Sequence, residues 1–188
     1  MHKIYLVFVA LFASVLSGCM QMPLTYQPSI ENLETLKASK MAPANVGTFA
    51  LAAGKSASMD QIVSARGSTV VPPNNSFALF LKDAVKQELV SAGKFDPAST
   101  VVIHGQLTKS ALEAPIGTGK GTLAARFTVN RNNQLAYEKE LEEYAEWPSV
   151  FLGADAIPTA MMQYASLYKK LLARLFGDAD FQNAVKAK

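Results

Sequence analysis

"TLAARFTVNRNNQLAYEKEL", residues Thr122 to Leu141, decides the fold. Leu123, Ala125, Phe127 and Val129 recur with a period of two, and Leu135, Tyr137, Lys139 and Leu141 resume that period beyond an asparagine-rich turn. Upstream, Val101, Ile103, Gly105 and Leu107 do the same. Short alternating runs separated by turn residues predict an antiparallel meander with one face on the core and the other in water. Pairing Leu107 with Leu123 sets Gly105 opposite Ala125, Ile103 opposite Phe127 and Val101 opposite Val129, so every core position meets another. In the second hairpin, a two-residue Asn132-Asn133 turn would set Phe127 opposite Glu138. A three-residue loop centred on Asn132 sets it opposite Tyr137, and Leu123 opposite Leu141. The odd loop is therefore predicted, with Arg126 and Glu138 as an exposed cross-strand pair.

Outward from the meander, Pro72-Pro73-Asn74-Asn75-Ser76 is a helix start signal. Phe77, Phe80, Leu81, Ala84, Val85 and Leu89 then recur at helical spacing until Gly93, with Ser76 as N-cap. Val46 to Ala52 reads as a first strand, and the loop-rich stretch after it has room for a short edge strand between Gln61 and Val71. On the C-terminal side, Ile157, Met161, Tyr164, Tyr168, Leu171, Leu172, Leu175 and Phe176 predict a long amphipathic helix from about Ala156 to Phe176. Gly177 ends it, and Asp178 caps a short terminal helix carrying Phe181 and Val185. The predicted class is α+β, a mostly antiparallel sheet in β-α-β-β-β-α order with helices packed on one face.

The chain opens with Met1-His2-Lys3 and then runs uncharged from Ile4 to Leu16, the pattern of a secretory signal and too short for a stable transmembrane helix. Leu16-Ser17-Gly18-Cys19 resembles the lipobox of bacterial lipoproteins. That resemblance implies that Cys19 is lipidated on its thiol, becomes the new N-terminus and is acylated on its amine, tethering the protein to a membrane durably. In a diderm host, Met20 in place of an aspartate implies sorting to the outer membrane, facing the periplasm, where there is no ATP. The expected organisation is a signal peptide over 1–18, a lipidated N-terminus and flexible tether over 19–44 with one short helical turn at Ile30 to Leu36, and a single periplasmic domain over 45–188.

Cys19 is the only cysteine, so the mature domain forms no internal disulfide and no thiolate metal site. The formal charge of +3 includes no basic cluster or tail of the kind that nucleic acid requires. No nucleic-acid partner, metal or cofactor is expected. The helix "FALFLKDAVKQEL", the strand "VVIHGQLTKS", the paired strands around "RFTVNRNNQLAYEKE" and the C-terminal "FQNAVK", together with the lipobox, resemble the YajG-like family of outer-membrane lipoproteins. The resemblance carries no catalytic residues.

Several stretches invite a functional reading. "APIGTGKG", Ala114 to Gly121, looks like a phosphate-binding loop, but the Walker pattern needs a glycine where Ala114 stands and Ser or Thr where Gly121 stands. It reads as a flexible bend, with Lys120 in solvent. His104, the one histidine after the leader, is expected to face outward beside Arg126, without the partner that a triad or a zinc site needs. The run Glu138, Glu140, Glu142, Glu143 and Glu146 invites a cation site or paired carboxylates, but in a strand its even-numbered members line the solvent face, so it reads as a solvated face. Met161, Met162, Tyr164 and Tyr168 read as core packing, with an acyl-chain groove as the alternative.

"EWPSVFLGADAIP", Glu146 to Pro158, is unusually apolar for a connection. Trp147, Val150, Phe151 and Leu152 either plug one end of the core or form a partner or lipid surface. The expected function is non-enzymatic: an envelope lipoprotein that binds or scaffolds a partner protein at the outer membrane. The alternatives are an auxiliary lipoprotein of an ABC-type lipid-transport system and a regulator of a peptidoglycan-synthesising enzyme.

Overall fold

A computed structural model describes residues 24–187. The signal peptide expected over 1–18 and the lipidation site Cys19 lie outside the described residues. The elements run α1 (Ile30–Ala38), β1 (Asn45–Leu51), α2 (Ala57–Gln61), β2 (Val63–Ala65), β3 (Ser68–Val70), α3 (Phe77–Ser91), β4 (Val101–Glu113), β5 (Gly117–Arg131), β6 (Gln134–Ser149), α4 (Gly153–Gly177) and α5 (Ala179–Val185). The main sheet has the order β1-β4-β5-β6, antiparallel except for the β1–β4 pair, and β2 and β3 form a separate hairpin. This is the predicted α+β class, with the main sheet's one parallel pair at β1.

The long helices α3 and α4 share one face of the sheet. Phe77 and Phe80 of α3 meet Tyr164 and Tyr168 of α4 edge to face, with ring centroids 5.5 and 4.8 Å apart. Both predicted caps form. Ser76 Oγ accepts from the Leu79 N–H at 3.1 Å, and Asp178 Oδ1 accepts from the N–H groups of Asp180 and Phe181. Asp60 at the end of α2 adds to the first, accepting from Ser76 Oγ and from the Ala78 N–H at 2.7 Å.

The registers differ from expectation in both hairpins. Leu107 pairs with Ala125, Gly105 with Phe127 and Ile103 with Val129, two residues from the predicted alignment, and Thr108 is an extra residue before Lys109 pairs with Ala124. The physical reason is Phe49 of β1. Its ring fills the space above Gly105, where an added Cβ would lie 2.4 Å from Phe49 Cε1, and it packs edge-on against Phe127. The second turn is the two-residue Asn132-Asn133, both with positive φ (50° and 63°) as a type I′ hairpin requires. The conflict that favoured an odd loop is resolved by a β-bulge: Asn130 pairs with Leu135 and Val129 with Tyr137, so Ala136 is the extra residue. Arg126 lies across from Glu140 in the ladder and within reach of both Glu140 and Glu138.

Residues 24–44 correct the expected tether. Leu24, Tyr26, Leu36, Met41 and Ala44 belong to the hydrophobic core, and α1 packs along α4 and α3. The docking centres on Glu88 of α3, which is fully buried. Its Oε1 accepts from the Tyr26 hydroxyl, the Ser29 N–H at 3.0 Å and Asn32 Nδ2 at 3.0 Å. Asn32 Nδ2 also reaches the Lys169 carbonyl of α4 at 3.2 Å. The cost of burying this carboxyl group is offset at Oε1 by three donors, while Glu88 Oε2 and Asn32 Oδ1 are buried without a partner among the described residues, so the contacts at Oε1 are what place the N-terminal segment.

Candidate functional site

β6 ends at Ser149 and α4 begins at Gly153, and the residues between form an apolar tip. Val150, Phe151 and Leu152 are 50, 75 and 62% exposed, and Ile116 in the neighbouring β4–β5 connection is 65% exposed. Their backbone is held by Arg66, which sits at the β2–β3 turn with φ 50°. Its Nε donates to the Ala114 carbonyl at 2.7 Å, Nη1 to the Phe151 carbonyl at 2.8 Å, and Nη2 to the Val150 carbonyl at 2.6 Å and to Ser149 Oγ at 3.1 Å. The planar, five-donor fork of a guanidinium suits this convergence. One side chain therefore ties three connections into a rigid platform from which large apolar side chains stand out.

Trp147 separates from this group. It is buried, with its ring over Gly119 and Gly121; an added Cβ at Gly119 would lie 2.4 Å from Trp147 Cε2. The predicted surface Trp147, Val150, Phe151, Leu152 thus divides into one core plug and three exposed residues. The bend expected across "APIGTGKG" is confined to Ala114, Pro115 and Ile116. Gly119, Lys120 and Gly121 are ladder residues of β5, and Lys120 pairs with Glu146 at 3.5 Å.

The space between α4 and the sheet is filled. Tyr164 and Tyr168 are fully buried and hydrogen-bonded to each other at 3.2 Å, and Tyr164 bonds Ser110 of β4 at 2.7 Å. Burial pushes both phenols well above their ordinary range. Met161 is buried, whereas its neighbour Met162 is exposed beside the start of the N-terminal segment. There, Met161 and Met162 line a shallow cleft of about 220 Å³ with Leu24, Thr25, Val70, Pro158 and Ala165. Pockets that enclose a drug-sized ligand run from about 300 Å³ upward, so this cleft does not enclose an acyl chain.

His104 lies on the outer face, as expected, but it has a structural partner: Nδ1 accepts from the Thr48 N–H of β1 at 3.0 Å. The ring packs where a side chain on Gly47 would stand. Desolvation, then the charge of Lys82, holds its pKa below the usual 6.5. The neutral imidazole is the accepting form, and the unfolded chain binds the proton more readily. The contribution of His104 to stability is therefore expected to be constant above about pH 6.5 and to fall as the pH drops from there through the lower native value. Denaturant titrations at successive pH values check this, and His104→Gln should remove the slope in that window.

The even-numbered members of the acidic run form an outer-face ladder of ion pairs, as expected of a solvated face: Glu138 and Glu140 with Arg126, Glu142 with Lys109 and Glu146 with Lys120; Glu143 lies on the other face and pairs with Arg174 of α4. Among the described residues, no three His, Cys, Asp or Glu side chains cluster as metal ligands, and no helix is long and apolar enough to cross a membrane. Arg66 escaped sequence reasoning. Its only signal was a basic residue before Gly67 in a turn.

No protein-family model matches the chain, and no curated protein does. The fold itself has been seen before. Protein XCC0632 from Xanthomonas campestris, of the family DUF330, superposes with a TM-score of 0.56 at 11% identity, over 84% of this chain and 95% of that one. A chain from Caulobacter crescentus CB15 whose assignment as a lipoprotein is provisional gives 0.44 at 8% identity, over 84% and 97%. A minor lipoprotein from Acinetobacter baumannii gives 0.38 at 9% identity, over 77% and 92%. At such identities the first likeness is one of fold alone, and the other two, below 0.5, carry no argument.

Proposed function

We propose that this chain is a lipid-anchored envelope lipoprotein, held through Cys19 at the outer membrane and facing the periplasm, whose domain binds or scaffolds a partner protein and catalyses no reaction. The observation that carries this reading is the docking of residues 24–38 onto α3 and α4 through Glu88. With that segment folded in, only four residues lie between Leu24 and Cys19, and five fully extended Cα–Cα steps reach about 17 Å. An anchor at Cys19 then fixes the domain beside the bilayer. Such a leash suits a module that presents a surface close to the membrane. It suits poorly a regulator that must reach a distant peptidoglycan-synthesising enzyme. The filled space beneath α4 likewise gives little support to an auxiliary lipoprotein that carries acyl chains in an internal groove.

Feeding cells an alkyne palmitate should label the wild-type protein and leave Cys19→Ala unlabelled. Equal labelling of both proteins would end the lipid-anchor reading. In-cell crosslinking of the wild-type protein, with Cys19→Ala as the comparison, should then capture a defined envelope partner that depends on the anchor.

A further inference from the structure

We infer that the tip formed by Ile116, Val150, Phe151 and Leu152 rests in the lipid surface itself, so that the protein is held to the bilayer at two places, its acylated N-terminus and this platform. The inference rests on the lipid-anchored reading above. It begins with where the described chain starts. Leu24 and Thr25 lie against Pro158, Met161 and Met162 in the early turns of α4. From there the N-terminal segment runs along α4 in the helix's own direction. Asn32 meets Lys169, and Met41 bridges Lys186 beyond the far end of the helix. The chain therefore leaves the domain at the end where α4 begins, which is the end that carries the tip.

The distances agree with a shared plane. At 1.5 Å rise per residue, Met161 stands about 12 Å along the axis from the first residue of α4. The five Cα–Cα steps from Leu24 to Cys19 reach about 17 Å. An acyl chain on Cys19 can thus enter the same surface that the tip faces, and any protein partner at the tip would have to fit between the domain and the bilayer.

The chemistry of the tip matches a headgroup boundary. Each of its four apolar side chains is at least half exposed, and an exposed cluster of this kind marks an interaction surface. An interfacial element buries such side chains at the boundary between headgroups and acyl chains. Behind them, Arg66 supplies a guanidinium whose hydrogen bonds go to three carbonyls and one hydroxyl; among the described residues it makes no ion pair. A cation at that depth complements lipid phosphates.

The test uses the chain's lack of other cysteines. With Cys19 acylated, a cysteine introduced by Phe151→Cys is the sole free thiol and takes a nitrobenzoxadiazole label. Leu135→Cys, exposed beside the opposite turn, is the control. The lipidated proteins are reconstituted into vesicles of phosphatidylethanolamine with a minority of phosphatidylglycerol. The label at 151 should be shielded from iodide and quenched by doxyl-labelled lipid, and the label at 135 should behave in the reverse way. Equal iodide quenching at both positions, in protein that still floats with the vesicles, overturns the inference. So does a label at 151 that is open to iodide in pure lipid but shielded in native envelope membranes, because the tip then serves a protein. Failure of the acylated protein to float would instead count against the lipid-anchored reading.

Discussion

Glu88→Ala is expected to release residues 24–38 from the body while the main sheet and the helices α3 and α4 stay folded. The substitution deletes the acceptor shared by Tyr26, Ser29 and Asn32. Hydrogen bonds of this kind contribute about 1–3 kcal/mol each and are not additive, because donors freed by undocking regain water. A net loss of about 3 kcal/mol follows, which for a domain of this size lowers Tm by roughly 6–12 °C. Amide exchange should show the cause directly: protection lost across Ile30–Ala38 and retained in β4 and β5. Glu88→Gln keeps an acceptor and should lose much less. If exchange across α1 were unchanged in the alanine variant, Glu88 would not be what holds the segment. The functional consequence is a leash that grows from four residues to about twenty, so a label at position 151 should become accessible to iodide although acylation persists.

This prediction rests on a feature the sequence conceals. A period-of-two or period-of-3.6 pattern reports which face of an element is apolar, and it located β1, α3, the three strands of the meander and α4, whose apolar stripes are recognisable even where Lys139 interrupts β6. Ser76 and Asp178 were legible for a similar reason, since a cap is local chemistry. Residues 24–38 carry no such stripe. Leu24, Tyr26, Asn32 and Leu36 are buried at irregular spacing, and what holds them is a carboxyl group on another helix more than fifty residues away. Glu88 itself looks like part of a solvated helix face.

The register shows the same boundary. Alternation fixes the parity of pairing, but shifts of two residues preserve parity, and only Phe49 on a different strand distinguishes Gly105 opposite Phe127 from Gly105 opposite Ala125. A one-residue bulge does change parity, and the one at Ala136 showed as the conflict across Asn132-Asn133, but alternation alone did not say whether the turn or the strand carries the extra residue. At the candidate site, the apolar connection after Trp147 was conspicuous as sequence. Its clamp Arg66 was not, because nothing near residue 66 announces that a turn eighty-odd positions upstream will meet the Phe151 carbonyl.

Gly119→Ala should be one of the most damaging single-methyl changes in the sheet, and Trp147 should report it. An added Cβ would lie 2.4 Å from Trp147 Cε2 and Nε1, so the indole must move. Trp147 is buried beside Ala145 and Leu167, and forced repacking of such a site costs about 1–3 kcal/mol, occasionally more. That corresponds to a drop of up to about 12 °C in Tm. Because the chain has one tryptophan, its emission should shift to the red as the ring loses burial, with no other indole to mask the change. The partner variant isolates the cause. Trp147→Leu alone should destabilise through the cavity it leaves, and adding Gly119→Ala to it should cost little further, because the new methyl then fills space the indole vacated. A double variant whose losses simply add would mean that the glycine is needed for its backbone freedom and not for the ring. The distinction bears on function, since Trp147 lies two residues before the Arg66-clamped segment that bears Phe151. A displaced indole should loosen that platform, and the label at position 151 should lose its lipid contact in Gly119→Ala before the domain itself unfolds.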